Sequence, residues 1–470
     1  MSTLPRTPGQ RRGGVLIIAL LFIVIFSALA AAVAAFSGIN VRLGDNQRRL
    51  DNVRSCAESG LEITRYWLNK IAFTGTTPAG ERVAVTAAKL QDELNWAGVT
   101  NIQLVWDATT ITFQGPSSSN VLLNSAKQQS FSAVLRQTDA DIMRVEITGH
   151  SGGISRTLVS NFVFDHRTNS VFDHALATKG PLELSGTVDL VAIDVEANAY
   201  IDTDDAKALM LSGSAHISGD VKITSSQAAT VVQVSGQKAG IGDAYGPASA
   251  FPPYTEYSQP KLEFPEMVPS NFEKYITNTL NPATDTSGTL LLNNVRIPAG
   301  MNPSFTGQVT LRGVVYIEAP NVVTFAGSTT ICGVIVGNGD PADNSGTNSI
   351  TFTGSLASAP MNDPVAGLPP DPQFDGIRNE TGTFVMAAGF KADFEGPFTT
   401  LSGAIAANGI TFGGNAGGTI DGSLINYSPT PMVLGGKNDL TFNRTGDDVP
   451  AGFVQQTILR YDPSSYSEVL

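Results

Sequence analysis

Charge is scarce in this sequence. Asp, Glu, Lys and Arg make up 15% of its 470 residues, against about 25% in a typical soluble domain. What charge there is leans acidic, 42 Asp and Glu against 29 Lys and Arg, for a net −13. That balance excludes a phosphate-neutralising surface, so no nucleic-acid partner is expected. Two cysteines, Cys56 and Cys332, are too few for a disulfide framework. Both are expected as plain thiols, one in a helix and one in the apolar strand Ile331–Val336. No phosphate-cradling loop and no nucleophile elbow is present.

The residues that replace charge are apolar ones and glycine: 42% hydrophobic, with 47 Gly. That length is enough for two or three domains. The longest apolar run, Val15 to Phe36, is interrupted only by Ser27 and follows Arg6, Arg11 and Arg12. It matches the roughly 20 helical residues that cross a bilayer. Basic residues also follow the run, at Arg42, Arg48, Arg49 and Arg54. The bulk is still expected outside the cytoplasm, because a long domain translocates regardless of nearby charge. Ala-x-Ala sites after Ala28 leave a cleaved signal peptide as an alternative.

The helix is expected to continue past the membrane. Leu50, Val53, Ala57, Leu61, Thr64, Leu68 and Ile71 recur every three or four residues and form one stripe. Glu58, Glu62 and Arg65 lie off it. The assignment is leader 1–14, membrane helix 15–36 and amphipathic continuation 37–75.

Gln10-Arg11-Arg12-Gly13-Gly14, running straight into Val15-Leu16-Ile17-Ile18, resembles a type III, prepilin-like signal. In that class a short basic leader ends in Gly at the cut, here placed around Gly13, Gly14 and Val15. The stretch Arg54-Ser55-Cys56-Ala57-Glu58-Ser59-Gly60-Leu61-Glu62 resembles the Ala-Glu-containing stretch of PilX-type minor pilins. The resemblance covers about the first 70 residues, with weaker support to about 165. It implies a structural role beside other pilin or pseudopilin subunits in a type IV pilus or related secretion system. The location implied is the inner membrane, single-pass. One departure is plain: most pilins carry Glu at the fifth mature position, where cleavage after Gly14 puts Ala19 and cleavage after Gly13 puts Ile18. A carboxylate in hydrocarbon is costly unless paired, so this chain need not insert mid-filament. The alternative is an uncleaved anchor.

Residues 76–168 read as a small α+β domain. A short helix is expected around Ala87 to Leu94, then strands at Phe131–Arg136, Met143–Thr148 and Ile154–Phe164, with Gly149, Gly152 and Gly153 as the turn between the last two. A one-sided sheet and a helix stripe can bury each other, as in a pilin head. From 169 to 470 the pattern changes. Val191, Ile193, Val195 and Ala197 are expected on one face. Phe-x-Gly recurs at Phe305, Phe325, Phe352, Phe394 and Phe412, and Leu-Ser-Gly at Leu184, Leu211 and Leu401. Some spacings approach one lap of a solenoid. The fold class expected is α+β, mostly β, ending in a Gly-rich parallel β-helix; an antiparallel β-sandwich is the alternative. Pro-rich excursions lie near 247–282 and 360–372. The first, rich in aromatics, is expected to be ordered over the solenoid, and the second to be a surface loop.

Chemistry-bearing groups are few. Phe164-Asp165-His166 and Phe172-Asp173-His174 repeat a triplet, but no third ligand is readable. His150 and His216 stand apart. Asp202, Asp204 and Asp205 form the densest acidic cluster, suited to glycosidic acid–base work or equally to Ca²⁺, but read first as a solvated turn. Asp340, Asp343 and Asn344 share that reading. No catalytic residue, metal or cofactor is assigned. The function expected is a minor pilin or pseudopilin-like component, with the membrane, other such subunits and a surface polysaccharide as candidate partners. The alternatives are a tethered polysaccharide-acting enzyme and a tethered adhesin.

Overall fold

The computed structural model describes residues 13–193, 196–227, 230–443 and 450–469. The leader up to Arg12, and Val195 of the expected alternation, lie outside them. The chain forms two compact units. One comprises 1–71, 79–164 and 459–470; the other comprises 72–78 and 165–458.

The first unit is built on one helix, Gly13–Leu68, about 84 Å long at 1.5 Å per residue. From Gly14 to Asp51 every residue is exposed. Beyond that the expected stripe is buried: Val53, Ala57, Leu61, Thr64 and Leu68 all lie at 5% exposure or less. Cys56 and Gly60 join it; Leu50 does not, at 38% exposed. The helix stops at Leu68, short of the expected residue 75. The next residues, Ala72–Thr74, form a strand that pairs antiparallel with Gln456–Ile458 in the second unit.

The stripe packs on an antiparallel meander of Gln129–Asp139, Ile142–Ser151 and Ile154–Arg167. Alternate residues point at the helix, Phe131, Ala133 and Leu135 on one strand and Met143, Val145 and Ile147 on the next, all fully buried. Each large apolar side chain removed from water this way contributes about 1.5–3 kcal/mol. A second helix, Arg82–Trp96, buries Val83, Ala87, Leu90 and Leu94. Gly149 is not a turn residue: it lies inside the middle strand, and Gly152 and Gly153, with φ of +57° and +79°, make the turn. Past Leu459 the last strand, Gln456–Val469, lies beside Ile154–Arg167. Its Ser465 Oγ accepts from the Asn161 N–H at 2.7 Å. The expected boundary at 168 therefore leaves out this C-terminal return.

Beyond the antiparallel pair of Ala72–Thr74 with Gln456–Ile458, the described strands of the second unit form three sheets that pair in parallel, apart from the terminal hairpin Gly240–Ile241 with Ala244–Tyr245. This is not the pairing of an antiparallel sandwich. Between 176 and 241 the chain visits the sheets in turn. Leu176–Thr178, Leu182–Gly186 and Asp189–Ala192 are followed by Ala199–Ile201, Leu209–Leu211 and His216–Ile217, each beside its predecessor. A run of five rings forms inside: Phe305, Phe325, Phe352, Phe394 and Phe412 stack with centroids 4.7 to 5.1 Å apart. Leu434, Leu184, Leu211 and Val234 continue the column. Two residues on, glycines stack. A Cβ on Gly327 would lie 1.8 Å from the Gly307 oxygen, and one on Gly354 2.0 Å from that of Gly327, so these corners admit no side chain. Leu401 is the exception, on a different sheet. The expected common face is not kept: Ile193 is exposed and Ala197 buried, and the inward residue of the preceding strand is Leu190.

The order of strands is permuted. Winding starts in the middle of the largest sheet, at Leu176–Thr178, and runs outward to the edge strand Thr255–Glu256. The chain then reappears at the opposite edge, Asn278–Thr279, and winds back until Leu424 pairs with Leu176. The 21 residues between those edges, 257–277, thus cross ten interstrand spacings, about 48 Å. This is the first Pro-rich excursion. It buries Phe264, Met267 and Phe272 against the outward-facing Tyr200, Tyr316, Val334 and Met386. The second excursion is more than a surface loop, since Met361 and Leu368 enter the same cluster at 4% and 5% exposure.

Candidate functional site

The exposed half of the long helix is the first candidate. Among the described residues it is the one helix long and apolar enough to cross a membrane. Val15, Leu16, Ile17, Leu20, Phe22, Phe26, Val33 and Phe36 are each more than half exposed. Leaving so much apolar area in water is unfavourable, and lipid or a partner helix would relieve it. Gly14 and Val15 lie in its first turn, and Ala19 and Ile18 are on the apolar surface.

The acidic cluster is held by its own cations. Lys261, from the first Pro-rich excursion, places its Nζ 3.0 Å from Asp204 and 3.9 Å from Asp202. Asp202 also accepts from the Thr224 hydroxyl at 3.3 Å. Burial pushes the Asp202 carboxyl up, opposed by Lys261, the Thr224 hydroxyl and Lys179. Asp205 offers its N–H to the Thr203 hydroxyl. The arrangement is an ion-paired corner tying the excursion to the sheet, and among the described residues no group of three or more His, Cys, Asp or Glu is placed to hold a metal.

The other expected groups are dispersed. His166 Nδ1 lies 3.4 Å from the Thr457 hydroxyl. His174 is buried and stacks on Tyr200 at 5.4 Å. His150 is 3.5 Å from Ser132 Oγ, and burial lowers its pKa. Asp343 accepts from the Ser345 N–H at 2.9 Å and from Asn348, and the Ser345 hydroxyl, with that N–H and Asn348, holds its pKa down. Asp340 accepts from the Ala342 N–H. Both are turn-forming acids. Asn344 Oδ1 accepts from Asn408 at 3.1 Å. Cys56 and Cys332 are free and buried.

Sequence reasoning missed one constellation. His216 Nδ1 lies 2.8 Å from Asp189 Oδ1, and its Nε2 lies 2.9 Å from the Gly242 carbonyl oxygen. The Tyr245 ring stacks on the imidazole, 5.1 Å away and 16° from parallel. The signal was present: Asp189 and His216 each stand five residues after the leucine of a Leu-Ser-Gly corner, Leu184 and Leu211. Aligning those corners puts Asp189 and His216 side by side, as they are in the sheet.

No known family profile matches the sequence, and no curated protein matches it. Among solved structures, the competence-associated pilin ComZ from Thermus thermophilus overlaps 90% of this chain and 97% of its own, at 11% identity and a TM-score of 0.21. An overlap at that score carries no weight for fold or role.

Proposed function

We propose that this chain is a minor pilin or pseudopilin-like structural component of a type IV pilus or related secretion system. It is anchored by a single pass in the inner membrane, and its bulk lies outside the cytoplasm. The observation that carries the reading is the helix itself. One uninterrupted element is exposed from Gly14 to Asp51, apolar from Val15 to Phe36, and over its last part buries the stripe Val53 to Leu68 against an antiparallel meander. A tether alone requires only the first half. The basic leader ending in Gly13-Gly14 points the same way. The permuted parallel sheets read best as a parallel β-helix, supported by the lap-by-lap pairing and the phenylalanine and glycine columns. The role proposed is non-enzymatic, in keeping with an acidic cluster in which Lys261 pairs with Asp202 and Asp204.

Mass spectrometry of the mature N-terminus tests this reading. A start at Gly14 or Val15 is expected. A start at Met1, or a cut beyond Ala28, overturns it.

A further inference from the structure

The outer face of the smallest parallel sheet carries a column of polar residues at one end. Asp439, Asp189 and His216 occupy the same position on three successive strands. The buried neighbours Leu440, Leu190 and Ile217 point inward, so the column points out. At its end the hairpin folds back, pairing Gly240 with Tyr245. A Cβ on Gly240 would lie 2.7 Å from the Tyr245 ring, so glycine there lets the ring lie flat. His216 backs that ring, and Tyr245 remains 56% exposed. The imidazole is itself fixed by Asp189 and the Gly242 carbonyl. Thr187, Ser214, Gln237 and Lys238 complete the walls of one open trough.

We infer that this trough is a binding site for a neutral hexose polymer, with Tyr245 as its stacking platform. The inference rests on the proposal that this domain faces outside the cytoplasm. An exposed, rigidly backed aromatic ring offers a face to the C–H surface of a pyranose. Carboxylate, amide and hydroxyl groups beside it match a ring edge of alternating donors and acceptors. The Asp439 carboxylate accepts from two vicinal hydroxyls at once. Neighbouring strands are about 4.8 Å apart, close to the advance of one pyranose along an extended chain. Consecutive sugars therefore meet consecutive laps. The pair of carboxylates, Asp189 and Asp439, disfavours a uronate by like-charge repulsion.

The test is calorimetric titration of the full chain in a zwitterionic detergent without a sugar headgroup, with cellohexaose, maltohexaose and hexagalacturonate as probes. Binding of at least one neutral hexamer is expected, with the uronate at least about tenfold weaker. Tyr245→Ala and Asp439→Asn should each weaken binding about tenfold, and Tyr245→Phe should retain it. Unchanged thermal melting in Asp439→Asn, which alters an exposed side chain, separates loss of the site from loss of the fold. Absence of binding to both neutral hexamers, equal binding of the uronate, or undiminished binding by both weakening variants overturns the inference. The mature N-terminus, read on the same preparation, reports on the pilin-like proposal independently.

Discussion

Gly149 lies so close beneath the long helix that a Cβ placed on it would sit 2.4 Å from the Val53 carbonyl oxygen. The helix has a matching gap: a Cβ on Gly60 would lie 2.7 Å from the Phe131 ring. Two glycines, one on each element, set how near helix and sheet approach. Around them Val53, Cys56, Ala57 and Leu61 lose their water.

Gly149→Val should therefore push the helix off the sheet and expose Cys56. Cys56 is 3% exposed and burial raises its thiol pKa, so in the native protein it should react slowly with maleimide. In Gly149→Val its labelling, mapped by peptide mass spectrometry, should approach the rate of the denatured chain. Leu61→Asp should act alike, since it buries an unpaired charge, while Glu62→Ala, on the wet face, should change nothing. Native-like protection of Cys56 in both disruptive variants would mean that the stripe is not what holds the helix.

Phe352 is the middle ring of the stack, 5.1 Å from Phe325 and 5.0 Å from Phe394. Phe352→Ala should cost about 3–5 kcal/mol in a parallel-sheet interior this well filled. Gly354→Ala adds one methyl group yet should be at least as damaging, because that methyl overlaps the Gly327 oxygen. Denaturant unfolding followed by circular dichroism reads both. A smaller loss for Gly354→Ala than for an exposed-site control would show that the glycine column tolerates side chains.

Those corners were legible because Phe-x-Gly is local and repeats. The uneven spacing has a simple origin. Between Phe352 and Phe394 the chain makes the second Pro-rich excursion, which lengthens one lap without disturbing the column. The helix stripe was legible for the same reason, its period being written in one segment. Gly149 was misread because a glycine required by a neighbouring helix looks, in sequence, like a glycine required by a turn. The permutation left no local mark: Leu176 pairs with Leu424 across 248 residues, and short parallel strands of Leu, Ile and Val do not encode which neighbour they take. The covering role of Met361 and Leu368 was hidden by their Pro-rich context.

Cys332 offers a pH test of that cover. It is 6% exposed, beneath the second excursion, with its Sγ 4.0 Å from the Pro360 carbonyl oxygen. Burial raises its pKa from 9.0 to about 11. At pH 8 that lowers the thiolate fraction about 100-fold, so alkylation should be slower by at least that factor than in the denatured chain. The native rate should climb until about pH 11. Because the folded thiol holds its proton longer than the unfolded one, its contribution to stability is complete below pH 9.0. It is lost as the pH rises toward about 11. Met361→Ala combined with Leu368→Ala should open the cover and move the alkylation profile down toward pH 9.0. An unmoved profile would place the burial elsewhere.

The two ends of the segment 165–458 meet: His166 and Thr457 are in contact at 3.4 Å. The strands that carry its ends, Ile154–Arg167 and Gln456–Val469, are neighbours in one sheet, with Ser160 and Ser465 hydroxyls 3.3 Å apart. The β-rich unit is thus an insertion between two adjacent strands, a position where a short turn suffices. Replacing residues 165–458 by Asn-Gly should leave the first unit folded in detergent. The helix stripe is retained whole, while the meander loses only Asp165–Arg167 and the last strand only Gln456–Ile458. Protection of Cys56 from maleimide and of the meander amides from hydrogen exchange should match the full chain. Loss of both protections in the shortened chain, with the helix still formed by circular dichroism, would show that the first unit depends on the insertion for its stability. The last strand would then be held by the residues before Leu459 and not by its pairing with Ile154–Arg167.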